Sequence, residues 1–343
     1  MSNVLLNSGK AWQVYFNDVG LTAELVEEYT LYAEKLTSKK VPVIFDWHHL
    51  AALMGVSTKY LVSVVNASPY HYREFSIPKK TGGVRIIQAP RAALKECQRW
   101  ILKNILSRIA VHSAAKGFAS KKSIKDHAAP HVGLKPTLKM DFKDFFPSIK
   151  KRRVISLFSA IGYSKSVSLY LASICCLAER LPQGASTSPA ISNIVCRSFD
   201  GRMSALARKR RWKYSRYADD LAISGEDVEF SLSFLIKRIA RDEGFDINAE
   251  KTKFYPEGIN RVITGVAVGK DSLGVPRGYR RDLSKDVYYV AKFGVLSHVA
   301  KTKKRHPLLL ESLKGRLGFW EFIDPTDKKV DRLRRSLDKI KVG

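Results

Sequence analysis

The amino-acid sequence predicts an α+β fold, with a small antiparallel sheet backed by helices and followed by a helical C-terminal unit. Apolar residues recur at helical spacing over much of the chain, as at Leu21, Leu25 and Tyr29. Short runs rich in β-branched and aromatic residues occur beside Gly-Gly or Asp-Asp pairs. Residues 271–343 follow a helical pattern and contain 18 Lys and Arg against 9 Asp and Glu.

The N-terminal part of the chain is predicted to be helical, with one hairpin. Apolar spacing predicts a helix over residues 20–37 and one or two helices over residues 46–66. Between residues 75 and 87, two short strands flank Gly82-Gly83, which can adopt the positive φ values of a tight hairpin turn. A long helix is then predicted over residues 94–110.

The rest of the chain alternates helices with short strands. Because Ser188 can cap a helix and Pro189 suits its first turn, a helix is predicted to begin there. The predicted order is a strand over 137–141, helices over 151–161 and 164–178, the helix from Ser188, a hairpin around 217–220, a helix over 228–241, a strand pair containing 248–254 and 262–268, and then helices.

The charge of the chain is its first functional signal. Of 343 residues, 60 are Lys or Arg and 32 are Asp or Glu, which gives a net charge of +28. Such a surplus favours a nucleic acid as partner, because cations placed near phosphates release condensed counterions. The alternative is a merely soluble basic protein. A disordered chain is excluded, because 45% of the residues are hydrophobic.

The cysteines and the N-terminus predict the compartment. The four cysteines have no metal-ligand spacing and resemble small buried apolar residues of a reducing compartment. The N-terminus lacks the pattern of a secretory signal, and no apolar run approaches the ~18 residues of a membrane span. We therefore expect a cytoplasmic protein with no membrane partner.

Three aspartates on predicted strands form the strongest candidate for a reactive site. Asp141 ends one strand, and Asp219 and Asp220 lie at the tip of an apolar hairpin. Adjacent carboxylates in apolar surroundings repel each other unless a cation neutralises them, and Mg²⁺ prefers oxygen ligands. Asp-Asp is also ordinary turn chemistry, and that explanation suffices for the dipeptide alone.

The sequence around these aspartates resembles that of reverse transcriptases. Tyr-Ala-Asp-Asp at 217–220 resembles the family's Tyr-x-Asp-Asp box, and residues 139–148 resemble its first catalytic block. Leu-Pro-Gln-Gly at 181–184, with the Ser-Pro and Ser-Asn pairs that follow, resembles the block that contacts the incoming nucleotide and template. The resemblance covers about residues 70–325. It implies a right-hand polymerase with fingers, palm and thumb.

This resemblance implies which residues carry the metal chemistry. Asp141, Asp219 and Asp220 would be catalytic and would bind two Mg²⁺ ions, which Mn²⁺ could replace. The backbone carbonyl of Phe142 would be a further ligand. Two ions ~3.5–4 Å apart stabilise the attacking and the leaving oxygen of an in-line phosphoryl transfer. The implied activity is RNA-directed DNA synthesis from deoxynucleoside triphosphates.

The resemblance also implies a set of nucleotide-binding residues. A ring at Phe146 would exclude a ribose 2′-OH, whereas Phe145 is the better candidate for an ordinary core residue. Gly184 would allow close backbone approach. Lys79 and Arg85 lie on the glycine hairpin, and the alternative is that they are solvated cations of a basic hairpin with no role in binding. The full set is Lys79, Arg85, Phe146, Gln183, Gly184 and Lys251, of which the last matches a family lysine that protonates pyrophosphate.

Two further boxes resemble those of bacterial retron reverse transcriptases. Residues 127–131 resemble the retron Asn-Ala-x-x-His box, with His127 in place of Asn, and Ile-Thr-Gly at 263–265 resembles the Val-Thr-Gly box. The resemblance implies a cognate structured noncoding RNA that is primed from a guanosine 2′-OH and copied into a branched RNA–DNA molecule, msDNA. It also implies phage defence with a separate effector protein. RNA contacts are expected at His131, Arg332, Arg334 and Arg335.

The same resemblance suggests how the chain is divided. Residues 1–69 would be a helical N-terminal extension, and residues 269–343 a basic helical thumb. The fingers would take residues 70–136 and 151–190, and the palm residues 137–150 and 191–268. Two other functions remain open: another bacterial reverse transcriptase class (group II-like, CRISPR-associated or abortive-infection), or a non-catalytic RNA-binding scaffold.

Overall fold

The structure is a computed structural model that describes residues 9–78, 82–133, 135–302 and 308–340. These residues form helices and small antiparallel sheets, which confirms the predicted α+β class. They divide into two compact units. Unit 1 comprises the described residues of Met1–Phe118, Phe142–Arg202 and Lys237–Ile247, and unit 2 those of Ala119–Asp141, Met203–Ile236 and Asn248–Gly343. The domain boundaries given above stay predictions.

The described part of the chain is rich in helices, and its strands are short. The helices are α1 (Gly9–Asp18), α2 (Ala23–Ser38), α3 (Trp47–Met54), α4 (Thr58–Asn66), α5 (Ala92–Asn104), α6 (Ile124–Ala128), α7 (Phe145–Ser148), α8 (Lys151–Ile161), α9 (Lys165–Cys175), α10 (Ser188–Val195), α11 (Arg197–Lys209), α12 (Leu232–Asp242), α13 (Arg277–Thr302), α14 (Leu309–Ile323) and α15 (Lys328–Asp338). The strands are β1 (Tyr72–Pro78), β2 (Val84–Pro90), β3 (Thr137–Asp141), β4 (Lys213–Tyr217), β5 (Asp220–Ser224), β6 (Lys253–Tyr255), β7 (Arg261–Ile263), β8 (Val266–Val268) and β9 (Leu273–Gly274).

Local signals in unit 1 set the ends of the predicted helices around Gly55. At the start of α3, the Asp46 side chain accepts a hydrogen bond of 2.8 Å from the backbone N–H of His49. Gly55 ends that helix with φ 68°, a left-handed conformation that glycine adopts at little cost. Ser57 then caps α4 by accepting from the N–H of Tyr60. Of the one or two helices predicted over residues 46–66, the structure therefore has two.

The hairpin of unit 1 forms where the sequence predicts it. Strands β1 and β2 pair antiparallel from Tyr72 opposite Pro90 to Pro78 opposite Val84. Gly82 and Gly83, which precede β2, have φ values of 89° and 77°, a conformation that glycine adopts at little cost. Lys79, a predicted nucleotide-binding residue, lies outside the described residues.

The four-stranded sheet of unit 2 carries the three aspartates. Its strand order is β4-β5-β3-β6, and all neighbours are antiparallel. Leu138 and Met140 of β3 and Leu221 and Ile223 of β5 are completely buried, so the centre of the sheet is apolar. This burial fixes the register, because a one-residue slip would turn apolar side chains to the other face.

A second core in unit 2 joins the three-stranded sheet β7-β8-β9 to the C-terminal helices. Ile263, Val266 and Leu283 are completely buried there, as is Trp320 of α14. Helix α13 is kinked at Gly294, whose φ of 80° and ψ of 165° are not helical. The prediction of a mainly helical C-terminal region is confirmed. In the described ranges, no helix is long and apolar enough to cross a membrane.

Three predicted details were wrong. Residues 253–255 pair with β3 and not with residues 262–268, because a strand pattern does not identify the partner strand. Ser188 does not cap α10, because its hydroxyl donates to the carbonyl of Pro182 at 2.8 Å. The helix predicted over 94–110 ends at Asn104 and gives way to a 3₁₀ turn.

Candidate active site

Antiparallel pairing places two of the three aspartates directly opposite each other. Asp141 is the last residue of β3 and Asp220 is the first of β5, and their Cα atoms are register partners. Asp219 lies in the turn between β4 and β5. The three carboxylates therefore meet at one end of the sheet, as the strand pattern predicts. We call this group the acidic cluster.

A strained turn presents the acidic cluster. Ala218 has φ 55°, a left-handed conformation that is uncommon for a residue with a Cβ atom. The guanidinium of Arg216, which is completely buried, donates to the Ala218 carbonyl at 2.9 Å. This contact satisfies a backbone carbonyl at the tip and so helps to hold the turn in its unusual conformation.

Electrostatics mark Asp141 as a carboxylate that needs a cation. Burial first, and then the negative charges of Asp219 and Asp220, raise the pKa of Asp141 to about 6 against the lowering effect of a hydrogen bond and the charge of Lys251. The Lys251 ammonium lies 2.7 Å from Asp141 Oδ1. Burial lowers the pKa of Lys251, but its bond to Asp141 and the charges of the other two aspartates raise it overall.

The carboxylate of Asp220 has a different partner on each oxygen. Its Oδ2 accepts a hydrogen bond of 2.9 Å from the Thr264 hydroxyl, and its Oδ1 lies 3.4 Å from the Lys139 ammonium. Lys139 and Lys251 therefore offset part of the negative charge of the acidic cluster.

The donor chemistry of the cluster suits a divalent cation. Among the described residues, no three His, Cys, Asp or Glu side chains are arranged to hold a metal ion. The cluster nevertheless offers hard oxygen donors whose mutual repulsion raises a pKa, and a cation would relieve that repulsion. Lysine ammonium groups lie at one oxygen of Asp141 and at one oxygen of Asp220.

Phe142, whose carbonyl is predicted as a ligand, belongs to unit 1. Its ring is buried in an aromatic cluster with Phe145, Phe199 and Phe245, at centroid distances of 5.4, 5.1 and 4.8 Å. This packing anchors the backbone that follows Asp141. A ligand role for its carbonyl stays a prediction.

Gln183 and Gly184 lie against the hairpin of unit 1. The Gln183 carbonyl accepts a hydrogen bond of 2.8 Å from the backbone N–H of Gln88. Gly184 has φ 141°, and a Cβ atom there would lie 2.7 Å from the Gln88 carbonyl oxygen. Only glycine permits this approach, so the predicted need for glycine has a structural basis. Arg85 is exposed on β2, opposite Ile77.

The two phenylalanines of α7 differ in burial, as the sequence predicts. Phe145 is 5% exposed and stacks on Phe142, whereas Phe146 is half-buried. Phe146 contacts the ring of Phe118 at a centroid distance of 6.1 Å. These positions agree with a core role for Phe145 and leave part of the Phe146 ring accessible.

His131, predicted to contact RNA, is completely buried in unit 2. Its Nδ1 lies 2.7 Å from the Ser224 hydroxyl and its Nε2 lies 2.9 Å from the Ser215 hydroxyl. Ser215 also lies 2.8 Å from Nδ1 of His127. We call these four residues the histidine–serine network. Because both ring nitrogens of His131 are engaged and no ring surface is exposed, the geometry argues against direct RNA contact.

The three arginines predicted to bind RNA lie on α15. Arg332 and Arg335 are exposed. Arg334 forms a bidentate pair with Glu321 of α14, with one N–O distance of 3.3 Å. This pairing reduces the charge that Arg334 can offer to a phosphate, whereas Arg332 and Arg335 remain accessible.

Sequence reasoning missed Thr264, Arg216 and Lys139 as parts of the site. Lys139 lies two residues before Asp141, so the alternation of a strand places both on one face. That signal could have been used. Thr264 stood out only as part of a resemblance to a retron box, and its contact with Asp220 spans 44 positions. Local pattern does not predict a contact of that range.

Comparison with known proteins identifies the family. Residues 77–268 match the model of the family described as reverse transcriptase (RNA-dependent DNA polymerase). The retron Mx65 reverse transcriptase of Myxococcus xanthus is 35% identical over 319 residues, which cover 86% of this chain and 72% of the relative. The retron Ec86 reverse transcriptase of Escherichia coli is 30% identical over 272 residues, which cover 77% of this chain and 85% of the relative.

Solved structures resemble this chain more distantly. Telomerase from Candida albicans aligns with a TM-score of 0.45 and 11% identity, covering 78% of this chain and 62% of that one. A foamy viral protease–reverse transcriptase aligns with a TM-score of 0.40 and 14% identity, covering 79% of this chain and 30% of that one. These TM-scores are too low to support an inference.

Proposed function

This chain belongs to the retron reverse transcriptases of the reverse transcriptase family and is an RNA-directed DNA polymerase, and we propose that it copies part of a cognate noncoding RNA into msDNA. The single observation that carries the proposed chemistry is the acidic cluster. Asp141 and Asp220 are register partners at one end of a buried sheet, and burial with like charges raises the pKa of Asp141 to about 6.

We propose that Asp141, Asp219 and Asp220 hold two Mg²⁺ ions, for which Mn²⁺ can substitute, with the Phe142 carbonyl as a further ligand. When bound, such ions neutralise charge on the attacking and leaving oxygens of phosphoryl transfer. Lys251, hydrogen-bonded to Asp141 and with its side chain 58% exposed, is suited to give a proton to the leaving pyrophosphate. Lys139 balances charge at Asp220.

We assign deoxynucleotide binding to residues of unit 1. Gln183 and Gly184 would contact the nucleotide through backbone held against β2, while Lys79 and Arg85 would bind its phosphates. Phe146 would select the sugar. Support comes from the partial burial of Phe146, from the close approach at Gly184 and from the exposure of Arg85.

The Phe146 assignment has a direct test. Phe146→Ala should admit ribonucleotides at little cost to deoxynucleotides, because the ring would exclude a 2′-OH by steric overlap. Phe145→Ala is the matched control and should mainly destabilise the fold, by about 3–5 kcal/mol. The measurement is kcat/KM for a deoxynucleotide and its ribonucleotide partner. If folded Phe146→Ala has an unchanged ratio of the two kcat/KM values, Phe146 is a core residue and does not select the sugar.

We propose that the cognate RNA is structured and is primed from a guanosine 2′-OH, so that the product is branched. A net charge of +28 and exposed Arg332 and Arg335 support binding to an RNA backbone. The proposed setting is the cytoplasm, in phage defence with a separate effector protein.

Sequencing the nucleic acid that co-purifies with the protein tests this proposal. We expect one abundant RNA joined to DNA through a 2′,5′ branch, with the DNA complementary to part of that RNA. A debranching enzyme should separate the two strands. Linear DNA extended from an ordinary 3′ end would indicate another reverse transcriptase class, and RNA without DNA would indicate a scaffold.

A further inference from the structure

Thr264 occupies an unusual turn beside the acidic cluster. It forms, with Gly265, the two-residue connection between β7 and β8, whose flanking residues Ile263 and Val266 are register partners. The φ values of Thr264 and Gly265 are 44° and 82°. Hairpins of this kind favour Asn-Gly or Gly-Gly, because both central residues need positive φ. A β-branched threonine is therefore an outlier at this position.

The surrounding structure holds Thr264 in this conformation. Ile263 and Val266 are completely buried in the second core of unit 2 together with Ala222 of β5. The flanking strands therefore cannot shift to relieve the turn. Strained residues fixed in this way cluster at sites where the strain positions a functional group.

The strained turn places the Thr264 hydroxyl against the Asp220 carboxylate. It donates a hydrogen bond of 2.9 Å to Oδ2 of Asp220, and an ionised acceptor makes such a bond strong. The other oxygen, Oδ1, forms an ion pair with Lys139 at 3.4 Å. One oxygen of Asp220 therefore accepts from a neutral donor, while the other is paired with the ammonium of Lys139, a cation in the place that a metal ion could take.

We propose that Thr264 is a positioning residue that orients the Asp220 carboxylate so that Oδ1 is presented to a divalent cation. This inference rests on the proposed two-metal function of the acidic cluster. A neutral hydroxyl suits the task, because it restricts rotation of the carboxylate without cancelling the charge that attracts the cation. Hydrogen-bond partners of metal ligands commonly have this role.

Three substitutions distinguish the effect of the Thr264 hydroxyl from the effect of its side-chain shape on the turn. Thr264→Val keeps the β-branched shape and removes the hydroxyl, whereas Thr264→Ser keeps the hydroxyl and removes the methyl group. Thr264→Gly also removes the hydroxyl but takes positive φ readily, so it should fold even if Thr264→Val does not. Thermal unfolding of each variant reports on the fold.

The decisive readout is Mn²⁺ binding by the protein with its co-purified nucleic acid, followed by the EPR signal of the free ion. The Asp219→Asn, Asp220→Asn double variant defines the background from other sites. Thr264→Val and Thr264→Gly should bind Mn²⁺ about tenfold more weakly. They should lose kcat at low Mn²⁺ and recover most of it at high Mn²⁺. Thr264→Ser should stay within about twofold of wild type, given its retained donor.

The outcomes are distinguishable. Wild-type Mn²⁺ affinity in Thr264→Gly would overturn the positioning role while leaving the proposed active site in place. Weaker RNA binding with unchanged Mn²⁺ affinity would overturn it in favour of an RNA contact. If wild type and the Asp219→Asn, Asp220→Asn variant bind Mn²⁺ equally, the proposed two-metal function itself fails.

Discussion

The acidic cluster and the histidine–serine network lie at opposite ends of the same pair of strands. Asp141 is opposite Asp220 at one end of β3 and β5, and Thr137 is opposite Ser224 at the other. At the first end, like charges lie together and are partly offset by two lysines, one of which is the largely exposed Lys251. At the second end, neutral groups are buried and both ring nitrogens of His131 have partners. One sheet therefore carries a polar group suited to reaction and another suited to stability.

Burial also shifts the pKa values at the two ends in opposite directions. Burial raises the pKa of Asp141 to about 6, and burial followed by the charge of Arg261 lowers the pKa of His131 to about 3. In both cases burial disfavours the charged form. The histidine stays neutral and needs no counterion, whereas the carboxylate is ionised at neutral pH and requires one. The comparison teaches that burial has opposite consequences for an acid and a base, because a different protonation form of each is charged.

Removing charge from the acidic cluster should give the largest effect. Asp219→Asn with Asp220→Asn is expected to lower the rate of DNA synthesis by at least about a thousandfold, since the groups that would hold a cation are lost. The unfolding temperature should stay near that of wild type, because the double substitution also relieves a like-charge contact. The affinity for RNA should also stay near that of wild type. Primer extension and thermal unfolding measure the two quantities.

The matched control is Glu226→Gln with Asp227→Asn, a second adjacent acidic pair in unit 2. It should retain normal synthesis. Full-length product at the wild-type rate from the Asp219→Asn, Asp220→Asn protein would place the active site elsewhere.

Disrupting the histidine–serine network should lower the stability of the protein and leave the activity of the folded molecules unchanged. His131→Ala is expected to lower the free energy of unfolding by about 3 kcal/mol, because it leaves a cavity, removes the imidazole partner of the buried Ser224 hydroxyl and removes one of the partners of Ser215. DNA synthesis per folded molecule should be close to wild type. Urea unfolding measures the first quantity, and the rate normalised to folded protein measures the second. Normal stability with lost RNA binding would instead restore the predicted RNA contact.

When the pH falls, His131 and Asp141 should change the free energy of unfolding in opposite directions. Below pH 6.5 the unfolded chain takes a proton at His131 that the folded chain cannot, so about 2 kcal/mol of stability is lost by pH 5. As the pH falls through about 6, folded Asp141 takes up its proton before the unfolded chain does, which adds stability on the order of 1 kcal/mol. In metal-free buffer these effects should partly cancel.

Asp141→Asn makes the separate contributions measurable. Without the titration of Asp141, stability should fall more steeply between pH 7 and pH 5 than in wild type. Denaturant unfolding at four or five pH values provides the comparison. Parallel curves for the two proteins would show that the raised pKa of Asp141 does not contribute.

A modest stabilisation by metal is also expected. Mg²⁺ at ten times its dissociation constant should add about 1.4 kcal/mol to the free energy of unfolding, because it binds the folded state alone. The Asp219→Asn, Asp220→Asn protein should lose this gain, and the His131→Ala protein should keep it. Equal stabilisation of all three would assign the effect to Mg²⁺ bound at other sites.

Sequence predicted the acidic cluster far better than the network. The bounds of the strand ending in Asp141 and the hairpin at Asp219 follow from local signals, which the structure confirms. The network depends on contacts between residues 84 to 93 positions apart, so no local pattern reveals it. For the same reason the partner of β6 was predicted wrongly, and Ser188 was assigned a capping role although its hydroxyl bonds to Pro182.

The bond between His131 and Ser224 also has a consequence for strand alignment. Strand β5 has only five residues, and a slip of one position against β3 would set Leu221 opposite Asp141 and carry Asp220 off the sheet end. The same slip would pull Ser224 away from His131 and leave Nδ1 of a buried imidazole without its partner. The bond between His131 and Ser224 therefore helps to keep Asp220, at the opposite end of β5, in register with Asp141.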